Sequence, residues 1–587
     1  MANDEKMKKP WCENKFFCAL KKIVELKYWP LLLALGVLII SYFAYFAFAY
    51  WQAVPDVDLF DISETNTQVL WENYSMAKSV VAMWNMMPLQ IVSSVLLCIL
   101  AIVAGLLTYW KKMTWKRATI LLLFAGAILR ITYGLYTDNI TTRQHDVWRG
   151  DGYFMAHSDI TAYIYNYFKS PEPIFKMDGS VDFTASYQWY HPKLSHWIFA
   201  LFMRFNSLFM GDNSWVLYQS IRILTISVSI IGMFVAYKLT DELKLSERGK
   251  FLMNAIIIFC PMFYRLAGMS NNDPLTIFFM ILALYFAIKW YKKQSFFNII
   301  LIAISIGLSM ASKLSGALIA VPVAAIFLIV LIKNIKNKKD KSSIPISKLI
   351  IQFLIFAVIV APLGLYWPVM SYIKYDQPLV AVWIPDWSNI VIAENATFFS
   401  KYLMFDFGQF FQYPFIHLQT ITSSEGLVQD NNVYDMILKS PLFGEFSYSK
   451  SLLFLAYIMQ YTIFFLAIAF VALSIFDVVI GIIKNIKEYK KTSVIKIGSF
   501  DFWIMASLFF LFLINMIFFT SKYQYACSYD FRYIVPIIIP FGYFIAKGTD
   551  KLSISANRTT SMICNGFVMA SVAIFILSSS AFYILVG

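Results

Sequence analysis

Short polar clusters interrupt a largely apolar sequence, and their residue types suit proton transfer and phosphate binding. The first cluster holds Arg143, His145 and Asp146. A carboxylate in such a setting can act as a base toward a hydroxyl group, or hold an acceptor or a metal ion. A solvated loop with a helix cap is the alternative interpretation of a single aspartate.

The second cluster reads Tyr-His-Pro-Lys-Leu-Ser-His over residues 190–196 and precedes an apolar segment. Proline in a first helical turn is common, so this can be a plain interfacial helix start. His191, Lys193 and His196 also place donor groups at the amino-terminal end of that helix, where phosphate binds readily. Both interpretations stay open from the residues alone.

Three further clusters lie in short turns between apolar segments. They are residues 270–274 with Asn272 and Asp273, residues 307–316 with Lys313, and residues 530–533 with Arg532 and Tyr533. Polar groups this close to hydrocarbon are turn formers or site residues. Lys313 can reach a phosphate or extend to the interface. Arg532 can bind a phosphodiester through its forked donors or pair with Asp530.

The amino-acid composition indicates which kind of structure holds these clusters in place. Of 587 residues, 59% are hydrophobic and only 14% are charged, too few charges to cover a soluble domain of this size. The excess of 49 Lys and Arg over 35 Asp and Glu indicates cytoplasmic loops beside anionic lipid, and no nucleic acid partner is expected. The six cysteines show no metal-binding spacing, and a disulfide framework is not expected.

Apolar segments of about 20 residues, the length that crosses a bilayer, recur along the chain. The predicted spans are about 29–51, 89–110, 118–136, 215–239, 251–268, 275–292, 296–311, 316–333, 349–372, 451–482, 502–520, 531–547 and 560–585. The fold class is therefore an all-α polytopic membrane protein with about thirteen transmembrane helices. Juxtamembrane helices are expected in the first large outer loop.

Basic loops orient these spans. Segments 1–28, 111–117, 333–348 and 484–496 are basic and are placed inside, whereas 52–88, 137–193 and 373–450 are placed outside. Residues 194–210 would reverse every later basic loop if they crossed, so we predict a re-entrant or juxtamembrane helix there. All five clusters then face the outer side. The aromatic loop 373–450 is predicted to be an ordered cover over a site.

The ordered set of clusters resembles the GT-C superfamily of membrane glycosyltransferases, in particular the family 39-like branch. That branch includes protein O-mannosyltransferases and lipid A aminoarabinose transferases. The matching pieces are Asp146, His191-Pro192, Asn272-Asp273, the stretch from Gly307 to Lys313, and Phe531 to Tyr533. The resemblance covers roughly 118–547, with outer loops 137–214 and 373–450. Residues 1–117 look like an amino-terminal addition with two spans, and 548–587 hold the last cytoplasmic loop and final span.

This resemblance implies transfer of a single sugar from a polyprenyl-phosphate-linked donor to an acceptor hydroxyl at the outer face of the plasma membrane. It implies Asp146 as the catalytic carboxylate, His191 and Lys193 at the donor phosphate, and Arg532 with Lys313 on the lipid-linked phosphate. Arg143, His145, His196, Asn272, Asp273 and Tyr533 complete the predicted substrate-binding set. No cofactor is expected with certainty, and a divalent metal ion stays open.

A transporter or flippase of lipid-linked sugars is the alternative from another class. Transporters favour internal repeats and ionisable groups near the bilayer midplane. No repeat is evident here, and the polar clusters fall at one face. The acceptor can be a cell-envelope glycan, a lipid or a protein, and the sequence does not choose among them.

Overall fold

The computed structural model describes most of the chain, and nearly all of that part is helical. The described residues are 29–55, 76–77, 79–139, 156–173, 175–177, 179, 188–336, 344–379, 397–416, 421–423, 426–428, 430–492 and 499–586.

The first ten helices are Trp29–Phe48 (α1), Met87–Tyr109 (α2), Trp115–Tyr136 (α3), His157–Tyr167 (α4), Leu194–Met210 (α5), Ser214–Glu242 (α6), Glu247–Phe259 (α7), Pro261–Arg265 (α8), Asp273–Lys292 (α9) and Phe296–Ser312 (α10). They are followed by Ala320–Lys336 (α11), Ile346–Tyr375 (α12), Phe398–Tyr402 (α13), Phe407–Gln412 (α14), Val433–Phe443 (α15), Leu453–Thr492 (α16), Phe500–Lys522 (α17), Ile538–Ser555 (α18) and Arg558–Leu585 (α19). Two short antiparallel strands, Ile421–Ser423 (β1) and Gly426–Val428 (β2), pair with Thr422 opposite Leu427.

Ten helices within the described residues are long and apolar enough to cross a membrane. The helices 247–259 and 261–268, bent by 57° at their junction, make an eleventh if they are one span. The polytopic all-α prediction is confirmed, whereas the total of thirteen is not. Two predicted spans are not among these helices. Helix α10 is too short at 17 residues, and the 18 residues of α18 include the charged residues Lys547, Asp550 and Lys551.

Polar residues that flank the apolar segments start several helices. Asn213 caps α6 by accepting a hydrogen bond from the amide of Val216 at 3.0 Å, and Ser246 caps α7 through the amide of Gly249 at 3.0 Å. Such caps satisfy amides that the helix itself leaves unpaired. The helix boundaries therefore follow local sequence chemistry, and the apolar stretches between them supply the packing.

We call one end of the bundle the lower end, and Asp550 and Glu242 lie there. Asp550 accepts a hydrogen bond from the amide of Ser246 at 2.8 Å, so α18 ends where α7 begins. Glu242 pairs with Lys292 at 2.7 Å, so α6 and α9 also end there.

The opposite end, here the upper end, is defined by Asp273 and Lys313, which pair at 2.5 Å. Asp273 begins α9 and Lys313 follows α10, so these helices run in opposite directions between the two ends. The bent pair α7 and α8 leads from the lower end toward Gly268, shortly before Asp273. It thus links the two ends, as the predicted span 251–268 requires.

Helix α5 occupies the segment whose crossing was in question. It is a single unbroken helix of 17 residues and is not among the candidate spans. Its buried side includes Phe199 and Met203, whereas Phe205 and Leu208 are exposed. This pattern is typical of an amphipathic helix at a membrane interface. The structure therefore agrees with a juxtamembrane helix and not with a segment that turns back on itself.

The described parts of loop 373–450 fold over the upper end. Lys439 of α15 pairs with Asp430 at 3.1 Å, and both side chains are buried. The hydroxyl of Tyr583, near the end of α19, donates to the carbonyl of Leu442. The hydroxyl of Tyr457 donates to the carbonyl of Gln412 at 2.8 Å. The described residues of this loop pack against the upper ends of α16 and α19, and they are called the cover below.

Candidate active site

The ion pair between Lys313 and Asp273 joins two of the predicted clusters. Their side chains are only 10% and 3% exposed. Pro274 stands in the first turn of α9, and the side chain of Asn271 accepts a hydrogen bond from the amide of Asp273 at 3.0 Å. The turn before α9 thus fixes the carboxylate, and the carboxylate in turn fixes the lysine at the end of α10.

Tyr533 lies between two cationic groups. The Lys313 ammonium is 5.0 Å from the centre of its ring, and the Arg532 guanidinium is 4.9 Å from it. Arg532 also donates to the Tyr533 hydroxyl at 2.9 Å. Cations are attracted to the face of an aromatic ring. The cluster that contains Lys313 and the cluster that contains Arg532 therefore meet at Tyr533.

The guanidinium of Arg532 lies 3.8 Å from a carboxylate oxygen of Glu445. Asp530, the alternative partner considered from the sequence, accepts a hydrogen bond from the Arg532 backbone amide at 2.8 Å. Glu445 follows α15 in the cover, and sequence reasoning did not select it. Distance along the chain hid this contact, because no local pattern relates residues of the cover to residues 530–533.

Three of the five histidines of the chain, His157, His191 and His196, lie together near Lys313. His157 Nδ1 is 2.9 Å from His196 Nε2, and the His157 ring stacks on that of His191 with centres 6.0 Å apart. Burial, and then the charge of Lys313, lowers the pKa of His191 well below its ordinary value. The imidazole is therefore neutral at neutral pH. Sequence analysis missed His157, which begins α4.

The described residues contain no group of three or more His, Cys, Asp or Glu side chains that could hold a metal ion. That statement does not extend to residues 140–155. The open expectation of a divalent metal ion accordingly gains no candidate ligand set from the described part of the chain.

Lys193 is buried, and its ammonium lies 4.2 Å from the centre of the Trp367 ring. It donates hydrogen bonds to the carbonyls of Trp189 and His191. Burial lowers its pKa well below the ordinary value. Lys193 thus shapes the turn that presents His191, and its ammonium is already engaged by protein carbonyls.

Some buried polar atoms of the site have no hydrogen-bond partner within the described residues. They include both side-chain amide atoms of Asn272 and Nδ1 of His191. Buried polar atoms are normally paired, so these atoms are candidates for contact with a bound ligand.

Arg265, at the end of α8, is fully buried and was also missed. Its Nε donates to the Tyr133 hydroxyl at 3.3 Å, whereas Nη1 and Nη2 have no partner within the described residues. Gly444 has φ +63°, and a Cβ there would lie 2.4 Å from Nη1. Arg265 therefore packs against the segment that carries Glu445. An arginine inside a predicted span is itself a functional signal.

Three predicted site residues, Arg143, His145 and Asp146, lie outside the described residues. The chain is described as far as Asn139, whose side chain donates to the carbonyl of Tyr218 at 2.8 Å.

The end of α3 can be placed through a neighbouring contact. A Cβ on Gly268 would lie 2.8 Å from Cβ of Thr137, so these two residues touch. Because Gly268 precedes Asp273 closely, α3 ends at the upper end of the bundle.

The described residues thus form a bundle of helices able to cross a membrane, with Lys313, Arg532 and Lys193 gathered at one end. The family model of dolichyl-phosphate-mannose-protein mannosyltransferases matches residues 190–367, from Tyr190 through Trp367. The match includes His191 and Lys313 and stops before Arg532. No curated protein matches the chain. The match supports the class implied by the ordered clusters, a membrane glycosyltransferase of the GT-C type.

Proposed function

We propose that the protein transfers a single sugar from a polyprenyl-phosphate-linked donor to an acceptor hydroxyl at the outer face of the plasma membrane. The observation that carries this proposal is the meeting of Lys313, Arg532 and His191 around Tyr533 and Asp273. Lysine and arginine side chains fixed near each other bind an anionic ligand through charge-assisted hydrogen bonds. The lipid-linked phosphate of the donor is such an anion.

In this reaction the acceptor oxygen attacks the anomeric carbon while the bond from that carbon to the phosphate oxygen breaks. The electron pair of the broken bond goes to the phosphate, and the acceptor proton goes to a base. Lys313 and Arg532 stabilise the charge that develops on the phosphate, which is the usual role of fixed cations in transfer reactions. The neutral imidazole of His191 can donate one further hydrogen bond.

The two cations are held differently, which suggests separate roles. Lys313 is paired with Asp273 at 2.5 Å, whereas Arg532 and Glu445 are 3.8 Å apart. The planar guanidinium of Arg532 presents its donors in a fixed fork that matches the geometry of a phosphate, whereas the ammonium of Lys313 acts as a point charge. We therefore assign Arg532 to direct phosphate binding through two parallel hydrogen bonds. Lys313 supplies positive charge from a fixed position.

Asp146 is the proposed base, with Arg143 and His145 beside it. This assignment is supported by the resemblance of the cluster order to GT-C transferases and by the exit of α3 at the upper end. A positioned carboxylate raises the rate of such a transfer by about a hundred- to ten-thousandfold.

The outer location of the site is supported by the charge of the lower end. Lys250, Lys292, Lys333 and Lys336 belong to helix ends or starts there, and basic residues favour the cytoplasmic side. The upper end then faces outward, where a cell-envelope glycan, a lipid or a protein can serve as acceptor.

The test uses the full-length protein purified in detergent. Mass spectrometry should find a co-purified polyprenyl phosphate, and Asp146→Asn should lose about a hundred- to ten-thousandfold in transfer with its thermal stability unchanged. Asp151→Asn, in the same loop, is the matched control. An Asp146→Asn protein that retains more than half of wild-type transfer contradicts the assignment. Movement of intact lipid-linked sugar across vesicles without cleavage would favour the flippase alternative.

A further inference from the structure

A cleft with aromatic walls lies beside the phosphate-binding cluster. Its volume is about 330 Å³, at the lower end of the range for small-molecule sites. One wall is the face of α12 that carries Tyr366, Trp367 and Ser371, and the facing wall includes Trp189 and Trp197. The cleft is therefore built from the start of α5 and the upper end of α12.

The indole rings of the cleft are held in fixed orientations. Trp189 Nε1 donates to the carbonyl of Pro171 at 2.9 Å, and Trp367 Nε1 donates to the carbonyl of Tyr190 at 2.9 Å. Trp197 Nε1 donates to the Ser170 hydroxyl at 3.1 Å. Trp189 is 1% exposed and packs against Trp367 and Tyr375, so it supports the wall from behind. Trp197 and Trp367 are partly exposed, and with their N–H groups already bonded they offer a ligand ring surface and not donors. Rigid aromatic faces give contact area at low cost in conformational entropy.

Polar groups stand among the rings. Glu172, Lys374 and Ser371 line the cleft, and the buried hydroxyl of Ser371 has no hydrogen-bond partner within the described residues. A ligand that suits this lining has one apolar face and a rim of hydroxyl groups. A pyranose ring has both, since its axial C–H groups form the apolar face. An isoprenoid chain offers no hydrogen-bonding group, and it would cover the Ser371 hydroxyl without pairing it.

We propose that this cleft binds a pyranose ring of a saccharide substrate. Its place in the reaction rests on the proposed function. Lys193 lines the cleft and bonds the carbonyl of His191, while Ala311 lines it two residues before Lys313 in the sequence. A sugar ring in the cleft consequently lies beside Lys193 and the end of α10, which Lys313 directly follows. The ring can belong to an acceptor glycan or to the donor.

The binding test uses methyl α-D-mannopyranoside, methyl α-D-glucopyranoside and methyl N-acetyl-β-D-glucosaminide as probes. Saturation-transfer NMR is measured on the full-length protein in lipid nanodiscs, because glycoside detergents would compete. Tyr366→Ala should raise the dissociation constant for the bound glycoside about tenfold through loss of one ring face. Trp367→Phe, which keeps a ring face, should lose less. Tyr372→Ala is the matched control, because Tyr372 is exposed on the same helix outside the cleft.

The reaction of the same variants with a polyprenyl-phosphate sugar shows whether the bound pyranose ring belongs to the acceptor or to the donor. If Tyr366→Ala still hydrolyses the donor but transfers poorly, the ring belongs to the acceptor. If donor hydrolysis falls equally, it belongs to the donor. Both outcomes support a saccharide site.

Two outcomes overturn the proposal. In the first, none of the three glycosides binds wild-type protein, or all variants bind them equally. In the second, Tyr366→Ala loses affinity for sugar-free polyprenyl phosphate and not for glycosides, which identifies an isoprenoid groove. A different result would contradict the proposed function. If wild-type protein binds glycosides in the cleft but does not cleave the donor, the saccharide site is supported and the transferase reaction is contradicted.

Discussion

Two buried lysine–aspartate pairs lie at the upper end of the molecule, one in the cover and one at the site. In the cover, Lys439 pairs with Asp430 at 3.1 Å, and their side chains are 0% and 1% exposed. The Lys439 ammonium also donates to the carbonyl of Gln409 at 3.2 Å. At the site, the Lys313 ammonium pairs with Asp273, and its other described contact is the ring of Tyr533.

The difference lies in what surrounds each ammonium group. Lys439 is enclosed by a carboxylate, a carbonyl and the ring of Phe410. Lys313 shares its surroundings with the cation Arg532 and is close enough to lower the pKa of His191. We propose that Lys439 holds structure together, whereas Lys313, set beside other cationic groups, binds an anion. Substitutions at the two pairs should separate these roles.

The largest expected effect is on stability, in the cover. Lys439→Met leaves Asp430 buried without its partner, and breaking a buried pair in this way costs about 3–5 kcal/mol. We expect a clear fall in the thermal unfolding temperature in detergent and faster proteolysis within the cover. Lys450→Met, an exposed lysine at the end of the same loop, is the control. Wild-type unfolding by Lys439→Met would show that the cover does not depend on this pair.

The next prediction compares two double variants, each of which removes both charges of one pair. Replacing a buried pair by apolar residues of similar size is often neutral for stability. Lys439→Met/Asp430→Leu should therefore fold and keep transfer within about tenfold, since no proposed substrate contact is removed. Lys313→Met/Asp273→Leu should fold but lose about 10²–10³ in rate, the cost of removing one fixed charge from a transition state. Equal losses in the two double variants would erase the distinction between the pairs.

A smaller effect is expected at the second cation of the site. Arg532→Lys keeps the charge but loses the forked geometry, and a charge-assisted hydrogen bond contributes about 1.5–3 kcal/mol. Use of the donor should fall about ten- to a hundredfold. Glu445→Gln should lose less, because in the proposed complex the phosphate takes the place of Glu445. Transfer kinetics at varied donor concentration measure both variants, and wild-type turnover by Arg532→Ala would exclude this residue from the site.

The smallest effect is a pH dependence within the cover. Burial raises the pKa of Asp435 in α15 to about 8. The unfolded chain releases this proton near pH 4, so the folded state binds it more tightly between these values. Its contribution to stability is therefore complete below about pH 4 and is lost as pH rises through about 8.

Thermal unfolding at pH 6 and pH 9 measures that dependence. Wild-type protein should lose stability between these values, and Asp435→Asn should lose less of it because the amide does not ionise. Glu172→Gln, an exposed carboxylate, should behave as wild type. An identical pH response of Asp435→Asn and wild type would contradict the buried, protonated state of Asp435.

Much of this architecture follows from patterns within single segments. Apolar length predicts the helices, and the positions of basic loops exclude a crossing at α5. The same reasoning places Asp273, Lys313 and Arg532 at one end. It does not pair them, because the contacts of Lys313 with Asp273 and of Arg532 with Glu445 depend on how separate helices pack. His157 was missed for the same reason, whereas Arg265, inside the predicted span 251–268, could have been found from the sequence. The helix count was uncertain because α10 and α18 are short or charged.

The exposed apolar face of α5 ties the site to the surrounding lipid. Leu208 is 79% exposed and Phe205 is 55% exposed, so this face lies in the outer leaflet if the helix rests at the interface. The same helix begins directly after His191 and Lys193. A change in bilayer thickness or acyl-chain packing therefore shifts the element that presents these groups. The turnover of this enzyme should vary between vesicles of short-chain and long-chain lipids, even when both contain the same donor.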